Sequence, residues 1–135
     1  MRSTPQSSPT RHTASVIDHL KLHVRDVERS RAFYAEALAP LGYRAMFEPA
    51  PGVVGFGADR PDFWVALDPE ATGVAHVAFG VDSTAAVDAF HAAALDAGGR
   101  DNGAPGPRPQ YHPRYYGAFV LDPDGNNVEA VCHRA

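Results

Sequence analysis

Two histidines and one glutamate are the side chains of this sequence whose types and positions suggest chemistry. His19 and His76 each begin a segment in which apolar and polar residues alternate, and Glu129 lies in a third such segment near the carboxyl end. Alternation is typical of a half-buried β-strand, whose successive side chains point to opposite faces. If the apolar faces are covered, the two imidazoles and the carboxylate point toward one common side. Such groups bind divalent Ni, Zn, Mn or Fe, and three protein ligands leave positions free for water or substrate. We therefore predict a divalent metal site at His19, His76 and Glu129.

An internal repeat makes the two histidines equivalent. The stretch from His19 to Gly42 recurs in similar form from His76 to Gly98. One constant offset relates the matching pairs His19 and His76, Phe33 and Phe90, and Leu38 and Leu95. A repeat of this size indicates a duplicated supersecondary unit. Each copy predicts a strand followed by an amphipathic helix, with Asp26 and Asp82 or Ser83 as candidate N-caps and Gly42 and Gly98 as stops.

The remaining segments predict three further strands in each copy, and hence an α+β fold of two tandem βαβββ modules. Between Arg100 and Tyr115, four prolines and several turn residues predict a binding loop with at most a short strand. Asp122 to Gly125 fits a type I turn. We interpret residues 1–15 as a disordered tail and residues 16–135 as a single domain, with modules at about 16–68 and 74–135.

Composition excludes several classes of function. The 135-residue chain has a formal net charge of −4 and a pI near 5.9, so it offers no basic surface for nucleic acid. It has no apolar run of the roughly 18 residues that a membrane span needs. The single cysteine, Cys132, excludes an internal disulfide and fits a small buried hydrophobe in a reducing compartment. With no apolar segment typical of a secretory signal, we expect a cytoplasmic protein.

Several titratable or aromatic residues are candidates for catalysis and substrate binding around the metal. His112, Tyr115 and His23 are candidate proton carriers, although a strand histidine or a junction tyrosine is equally compatible with solvent exposure or packing. The candidate substrate-binding residues are Tyr111, Tyr116, Trp64, Phe56 and Arg114. Core packing is the alternative for the aromatic residues, and plain surface exposure is the alternative for Arg108 and Arg114.

The motifs resemble those of the vicinal oxygen chelate superfamily, which includes glyoxalase I, fosfomycin and bleomycin resistance proteins, and extradiol dioxygenases. The resemblance covers IDHLKLHVRDVERSRAFY at the start of the first module, GVAHVAFGV at the start of the second and LDPDGNNVEAV near the end. It implies two modules forming a cupped mixed sheet around a metal held by His19, His76 and Glu129. It also implies a homodimer, in which His19 would come from one chain and His76 with Glu129 from the other; the sequence leaves a site within one chain open.

The resemblance further implies a fourth ligand on the last strand of the first module. Aligning FWVAL with NNVEA puts Ala66 at that position, and alanine cannot bind metal. This departure argues against authentic lactoylglutathione lyase activity and favours a ligand set like that of the fosfomycin-modifying or dioxygenase branches.

The predicted function is that of a metal-dependent, glyoxalase-like lyase or isomerase that chelates neighbouring oxygens of a small substrate. An extradiol-type ring-cleaving dioxygenase using Fe(II) is one alternative. A non-catalytic protein that sequesters an antibiotic, as bleomycin resistance proteins do, is the other; a metal-containing scaffold without catalysis is a further possibility.

Overall fold

The computed structural model describes residues 16–135, so the predicted tail at residues 1–15 lies outside the described part of the chain. The first module consists of β1 (Leu20–Val24), α1 (Val27–Ala37), a short 3-10 turn (Ala39–Leu41), β2 (Arg44–Ala50), β3 (Val53–Gly57) and β4 (Pro61–Leu67). The second consists of β5 (His76–Gly80), α2 (Thr84–Asp96), β6 (Arg100–Pro107), β7 (Tyr116–Leu121) and β8 (Asn127–Cys132).

Each module forms one four-stranded mixed sheet. The strand order is β1-β4-β3-β2 in the first sheet and β5-β8-β7-β6 in the second. In both, the first and last strands of the module run parallel and the other neighbours run antiparallel. The predicted α+β fold of two tandem βαβββ modules is therefore confirmed.

Local sequence signals set the limits of both helices. The side chain of Asp26 accepts a hydrogen bond from the Arg29 backbone N–H at 3.1 Å, and Ser83 caps α2 in the same way. The sequence predicted that the first helix would continue to Gly42, but α1 ends at Ala37. Pro40 has no N–H with which to continue the helical hydrogen bonds, so the chain makes a 3-10 turn before Gly42 takes a φ of 84°.

Strand alternation gives each sheet a covered face, packed on the helices, and an open face on the other side. In β1, Leu22 and Val24 are buried on the covered face, whereas Lys21 and His23 are exposed on the open face. The covered faces of both sheets and both helices contribute to one continuous hydrophobic core. The open faces therefore remain available for binding.

The prediction that the proline-rich segment holds at most a short strand is wrong. β6 has eight residues and includes Pro105 and Pro107. It is the outer strand of its sheet, where an absent N–H can face away from the ladder, and register irregularities at Gly103 and Gly106 absorb the misfit. The loop is consequently reduced to the residues between Arg108 and Tyr115, whose backbone hydrogen bond of 2.9 Å closes it.

A buried polar network at the predicted turn joins the two modules. Gly125 N–H donates to the Asp122 carbonyl at 2.9 Å, as a type I turn requires. The Asp122 carboxylate, only 2% exposed, accepts hydrogen bonds from the backbone N–H groups of Asp124 and Asn126, from the Asn126 side chain, and from the Tyr34 hydroxyl at 2.5 Å. Tyr34 belongs to α1, so this carboxylate connects the second module to the first.

Among residues 16–135, no helix is long and apolar enough to cross a membrane.

Removing the Asp122 carboxylate will destabilise the fold strongly. Asp122→Ala leaves several buried donors without an acceptor, and we expect a loss of about 3 kcal/mol or more in the free energy of unfolding measured by urea titration. Tyr34→Phe removes one of these hydrogen bonds and will cost about 1–2 kcal/mol.

Tyr116→Phe is the matched control, because the Tyr116 hydroxyl also donates to a carboxylate, that of Asp88, but at the surface. Its loss will be below about 0.5 kcal/mol. Equal losses in Tyr34→Phe and Tyr116→Phe would contradict the role assigned to the inter-module network.

Candidate metal-binding and active site

The structure brings His76 and Glu129 together on the open face of the second sheet. His76 is the first residue of β5, and Glu129 lies in the neighbouring parallel strand β8. The strand register pairs Ala78 with Glu129, so both side chains point to the face that carries His76. His76 Nε2 lies 2.8 Å from Glu129 Oε1.

Glu129 is a buried carboxylate at the base of an open cavity. The residue is only 2% exposed, and its second oxygen, Oε2, accepts a hydrogen bond from the Tyr115 hydroxyl. The lack of a side chain at Gly117 leaves room for this contact, since a Cβ there would lie 3.1 Å from the Tyr115 ring and 3.4 Å from Glu129 Oε2. Burying a carboxylate costs free energy unless its oxygens are hydrogen-bonded, and here each oxygen has a polar partner.

Tyr115 acts as the donor in this contact. Burial and the adjacent Glu129 carboxylate raise the pKa of the Tyr115 hydroxyl well above its usual value near 10. The phenol therefore keeps its proton at neutral pH and holds Glu129 Oε2.

A cavity of about 390 Å³ opens over these groups and is lined by His76, Tyr111, Tyr115, Phe119 and Glu129. The rings of His76 and Phe119 lie 6.2 Å apart, and those of Tyr111 and Tyr115 lie 4.9 Å apart. The site thus combines one carboxylate and one imidazole with aromatic walls, which suits a small molecule with polar oxygens and a flat apolar part.

His19 lies immediately before β1, and its side chain is 56% exposed. Its Nδ1 contacts Asp18 Oδ1 at 2.9 Å. His19 and His76 both line a groove of about 370 Å³ between the modules, which Glu129 does not line. Nowhere in residues 16–135 do three His, Cys, Asp or Glu side chains form a cluster able to hold a metal ion.

The pair of His76 and Glu129 fits a divalent metal by donor chemistry, though it supplies only two ligands. Donor atoms 2.8 Å apart are close enough to contact one ion at the usual ligand distances of about 2.0–2.2 Å. Imidazole nitrogen and carboxylate oxygen also match the preferences of Zn, Ni, Mn and Fe. The prediction that His19 completes the site stays a prediction.

The candidate proton carriers occupy three different positions. Tyr115 contacts Glu129, and His112 lies behind it, with its ring 5.4 Å from that of Tyr115 and its Nε2 2.9 Å from His133 Nδ1. His23 lies on the first sheet, 4.0 Å from Asp68, and lines a separate cavity beside the inter-module linker. The structure thus associates Tyr115 and His112 with the Glu129 cavity, but not His23.

Four of the five candidate substrate-binding residues lie outside the cavity over Glu129, which Tyr111 lines, and one of them, Trp64, lines a separate cavity on the first sheet. Phe56 is fully buried in the core against Tyr34 and Phe63, because it lies on the covered face of the first sheet. Tyr116 lies on the covered face of the second sheet, and its hydroxyl donates to Asp88 of α2 at 2.7 Å. Placing Phe56 and Tyr116 in the cavity wall was therefore wrong.

Arg114 does not line the cavity either. Its side chain donates to the Arg134 carbonyl at 3.3 Å, and its backbone N–H donates to His112 Nδ1 at 3.1 Å. It supports the loop from behind and does not face a ligand in the cavity over Glu129.

Sequence reasoning missed Phe119 and His133. Phe119 pairs with Glu129 across β7 and β8, and His133 packs against both His112 and Tyr115. The alternation along β7 could have identified Phe119. Gly117 and Phe119 point to the same face of the sheet as Glu129, whereas Tyr116 points to the opposite face.

Comparisons with known proteins now decide the family. A family model described as Glyoxalase/Bleomycin resistance protein/Dioxygenase superfamily matches residues 16–130. The chain belongs to this superfamily. Proteins of the superfamily typically use divalent metals, and the superfamily includes enzymes.

Solved structures agree on the fold of this superfamily member. A glyoxalase/bleomycin resistance protein from Albidiferax ferrireducens is 26% identical with a TM-score of 0.75, covering 87% of this chain and 98% of that chain. A lactoylglutathione lyase from Agrobacterium tumefaciens is 21% identical with a TM-score of 0.66, covering 87% and 93%. A glyoxalase I mutant from Zea mays is 27% identical with a TM-score of 0.64, covering 85% of this chain and 46% of that chain. A comparison with curated proteins gave no match.

The structure corrects the residue assigned to the superfamily's fourth ligand position. Ala78 pairs with Glu129 in the second module, and its repeat equivalent in the first module, Lys21, pairs with Trp64. Trp64, and not Ala66, is therefore the residue of the first module that corresponds to Glu129. An indole does not bind metal ions, so this chain still lacks the fourth ligand that the resemblance implies.

Tyr115→Phe will show how far this phenol stabilises the buried carboxylate. We expect the variant to lose about 1 kcal/mol of unfolding free energy at pH 8, measured by urea titration with a chelator present. Because the pKa of Tyr115 is raised in the folded protein, its contribution is complete below the unfolded-chain value near 10 and declines as pH rises above it. The difference between wild type and variant should shrink from pH 10 upward, and a difference that stays constant to pH 11 would refute the assignment.

Proposed function

We propose that this protein is a metal-dependent enzyme of the glyoxalase type, acting as a lyase or isomerase on a small molecule with two neighbouring oxygens. One observation carries the proposal: Glu129 is a buried carboxylate that lines an open cavity, and its two oxygens have an imidazole and a phenol as polar partners. A buried carboxylate costs folding free energy, and a metal site is a function that requires such a group.

The metal ligands in this proposal are His76 and Glu129 of one chain and His19 of a second chain in a homodimer. Two observations support the shared site. The first is that the His76 and Glu129 side chains are in contact within one chain, and that the His19 side chain is exposed on the other module. Residues 16–135 of a single chain also fail to assemble three ligands, so a second copy is the natural source of the third.

The chain's own residues then bind, orient and protonate the substrate. A bound divalent ion would supply Lewis acidity to the two substrate oxygens. Tyr115 keeps Glu129 oriented through its hydrogen bond and holds a proton next to the cavity, while the His112 and His133 pair supports Tyr115 from behind. Phe119 and Tyr111 would exclude water from the apolar side of the substrate.

Two other functions have specific support. Two histidines and one carboxylate with open positions are the ligand set of Fe(II) oxygenases, which favours an extradiol-type dioxygenase. The lack of a three-ligand cluster in the described residues, together with aromatic cavity walls, favours a binding protein of the bleomycin-resistance type. For all three functions, we propose a cytoplasmic location, because the sequence has a single cysteine and that cysteine is buried.

Metal analysis of natively purified protein tests the site. We expect wild type to bind one divalent ion per site, and His76→Ala or Glu129→Gln to lose at least about 100-fold in affinity while retaining the fold. His91→Ala is the matched control, because His91 also lies next to a carboxylate, that of Asp101, but outside the cavity. Undiminished metal binding by both site variants would reject the ligand assignment.

Mixing two inactive variants tests whether the site is shared. If His19 comes from the second chain, unfolding and refolding His19→Ala together with Glu129→Gln yields mixed dimers with one intact site. Metal content should then rise to about a quarter of the wild-type value, since half of the dimers are mixed and each has one intact site of two. No recovery above the separate variants would contradict the shared arrangement.

Two activity assays separate the candidate functions. The metal-loaded protein is tested with the adduct of methylglyoxal and glutathione, and with catechols under Fe(II) at an oxygen electrode. Turnover of the adduct supports the lyase, and oxygen consumption supports the dioxygenase. Metal-independent binding without turnover in either assay supports sequestration.

A further inference from the structure

The open face of the first sheet carries the chain's single tryptophan beside its single lysine. Lys21 of β1 pairs with Trp64 of β4 in parallel register, so the two side chains lie next to each other on that face. This position is the repeat equivalent of Ala78 and Glu129 in the second module. The first module therefore has a cation and an indole where the second has a methyl group and a carboxylate.

The Trp64 ring lies close over the sheet. A Cβ on Gly55, its neighbour in β3, would lie 2.8 Å from two carbons of the indole, so only glycine lets the ring approach the backbone in this way. The Phe47 ring packs edge-on against Trp64, with ring centres 6.2 Å apart. The indole is thus held in place from two sides as a flat apolar surface.

A cavity of about 370 Å³ adjoins this surface. Lys21 and His19 lie at its polar side, and Trp64, Val53, Pro49 and Pro61 form its apolar side. The Lys21 side chain makes no ion pair or hydrogen bond with any of residues 16–135. Its ammonium group is therefore a positive charge without a protein partner at the edge of an aromatic wall.

Asp18 is the only carboxylate among residues 16–135 that lines the cavity, and it already has two partners. Asp18 contacts His19 at 2.9 Å and Arg60 at 3.5 Å. Asp18 therefore does not compete for Lys21, and the local charge favours an anion.

We propose that this cavity binds a small planar anion, an aromatic carboxylate, with its ring against Trp64 and its carboxylate at Lys21. Aromatic rings stack favourably on indole, and an ammonium group that is free of carboxylates attracts the carboxylate oxygens. Naming this molecule as the enzyme's substrate rests on the proposed function, because His19 lines the same cavity. The binding itself needs no metal.

Intrinsic fluorescence gives a direct test, because Trp64 is the only tryptophan and excitation at 295 nm reports on this cavity alone. Full-length, chelator-treated protein is titrated with four small probes of similar size: benzoate, benzyl alcohol, benzylamine and cyclohexanecarboxylate. We expect a saturable fluorescence change with benzoate, and affinities at least about fivefold weaker for the neutral, cationic and non-planar probes.

Three variants assign the charge. Lys21→Gln should weaken benzoate binding about fivefold and leave benzyl alcohol binding unchanged, while Lys21→Arg should retain benzoate binding. Arg44→Gln is the matched control, since it removes one exposed positive charge from the same sheet outside the cavity. Circular dichroism of each variant verifies the fold, which an exposed side chain on an open face should not affect.

The inference fails if benzoate causes no saturable change, if benzylamine binds as well as benzoate, or if Lys21→Gln and Arg44→Gln weaken benzoate equally. Because the titrations use metal-free protein, their failure is separate from failure of the metal site, which is read from the metal content of His76→Ala. Protection of Lys21 from amine acetylation by benzoate, measured by mass spectrometry, gives a second readout that does not depend on fluorescence.

Discussion

The buried carboxylate of Asp122 is the constraint on which this architecture depends. A charge removed from water must be matched by donors, and here they come from its own turn and from the Tyr34 hydroxyl of α1. Burial and the Asp122 charge raise the pKa of Tyr34 well above its usual value, so this phenol remains a donor. Asp124 of the same turn accepts from the Arg25 backbone N–H at 2.8 Å. These polar contacts join the two modules in addition to the hydrophobic core that they share, and they add a directional constraint that apolar packing lacks.

The duplicated modules have kept one framework and changed their open faces. In the second module, His76, Glu129 and Tyr115 form a hydrogen-bonded acidic site. In the first, Trp64 and Lys21 occupy the positions that correspond to Glu129 and Ala78. The two modules therefore share one framework, and a few residues on their open faces distinguish the two surfaces.

The sequence predicted the framework well because the signals are local and periodic. The repeat located both modules, and alternation assigned His76 and Glu129 to one face. Asp26 marked the start of α1 as observed, and of the two candidates for α2, Asp82 and Ser83, the structure has Ser83. The errors came from features that a one-dimensional pattern does not contain. Tyr115 and Tyr116 were both assigned to the site, although adjacent residues along a strand point to opposite faces. The alignment that chose Ala66 ignored the register that the sheet imposes. In the shared site that we propose, His19 joins His76 and Glu129 through a second chain, and no pattern within one sequence specifies such a contact.

The prolines of the outer strands have a consequence for how this protein can associate. Each sheet has two edge strands, and in each sheet one of them contains proline. These strands are β2, with Pro49, and β6, with Pro105 and Pro107. Because proline has no N–H, a strand of another molecule cannot form a complete hydrogen-bond ladder along these edges, and edge-to-edge aggregation is hindered there. The edge strands β1 and β5 contain no proline. Proline therefore limits backbone pairing with another chain at β2 and β6, and sets no such limit at the edges next to His19 and His76.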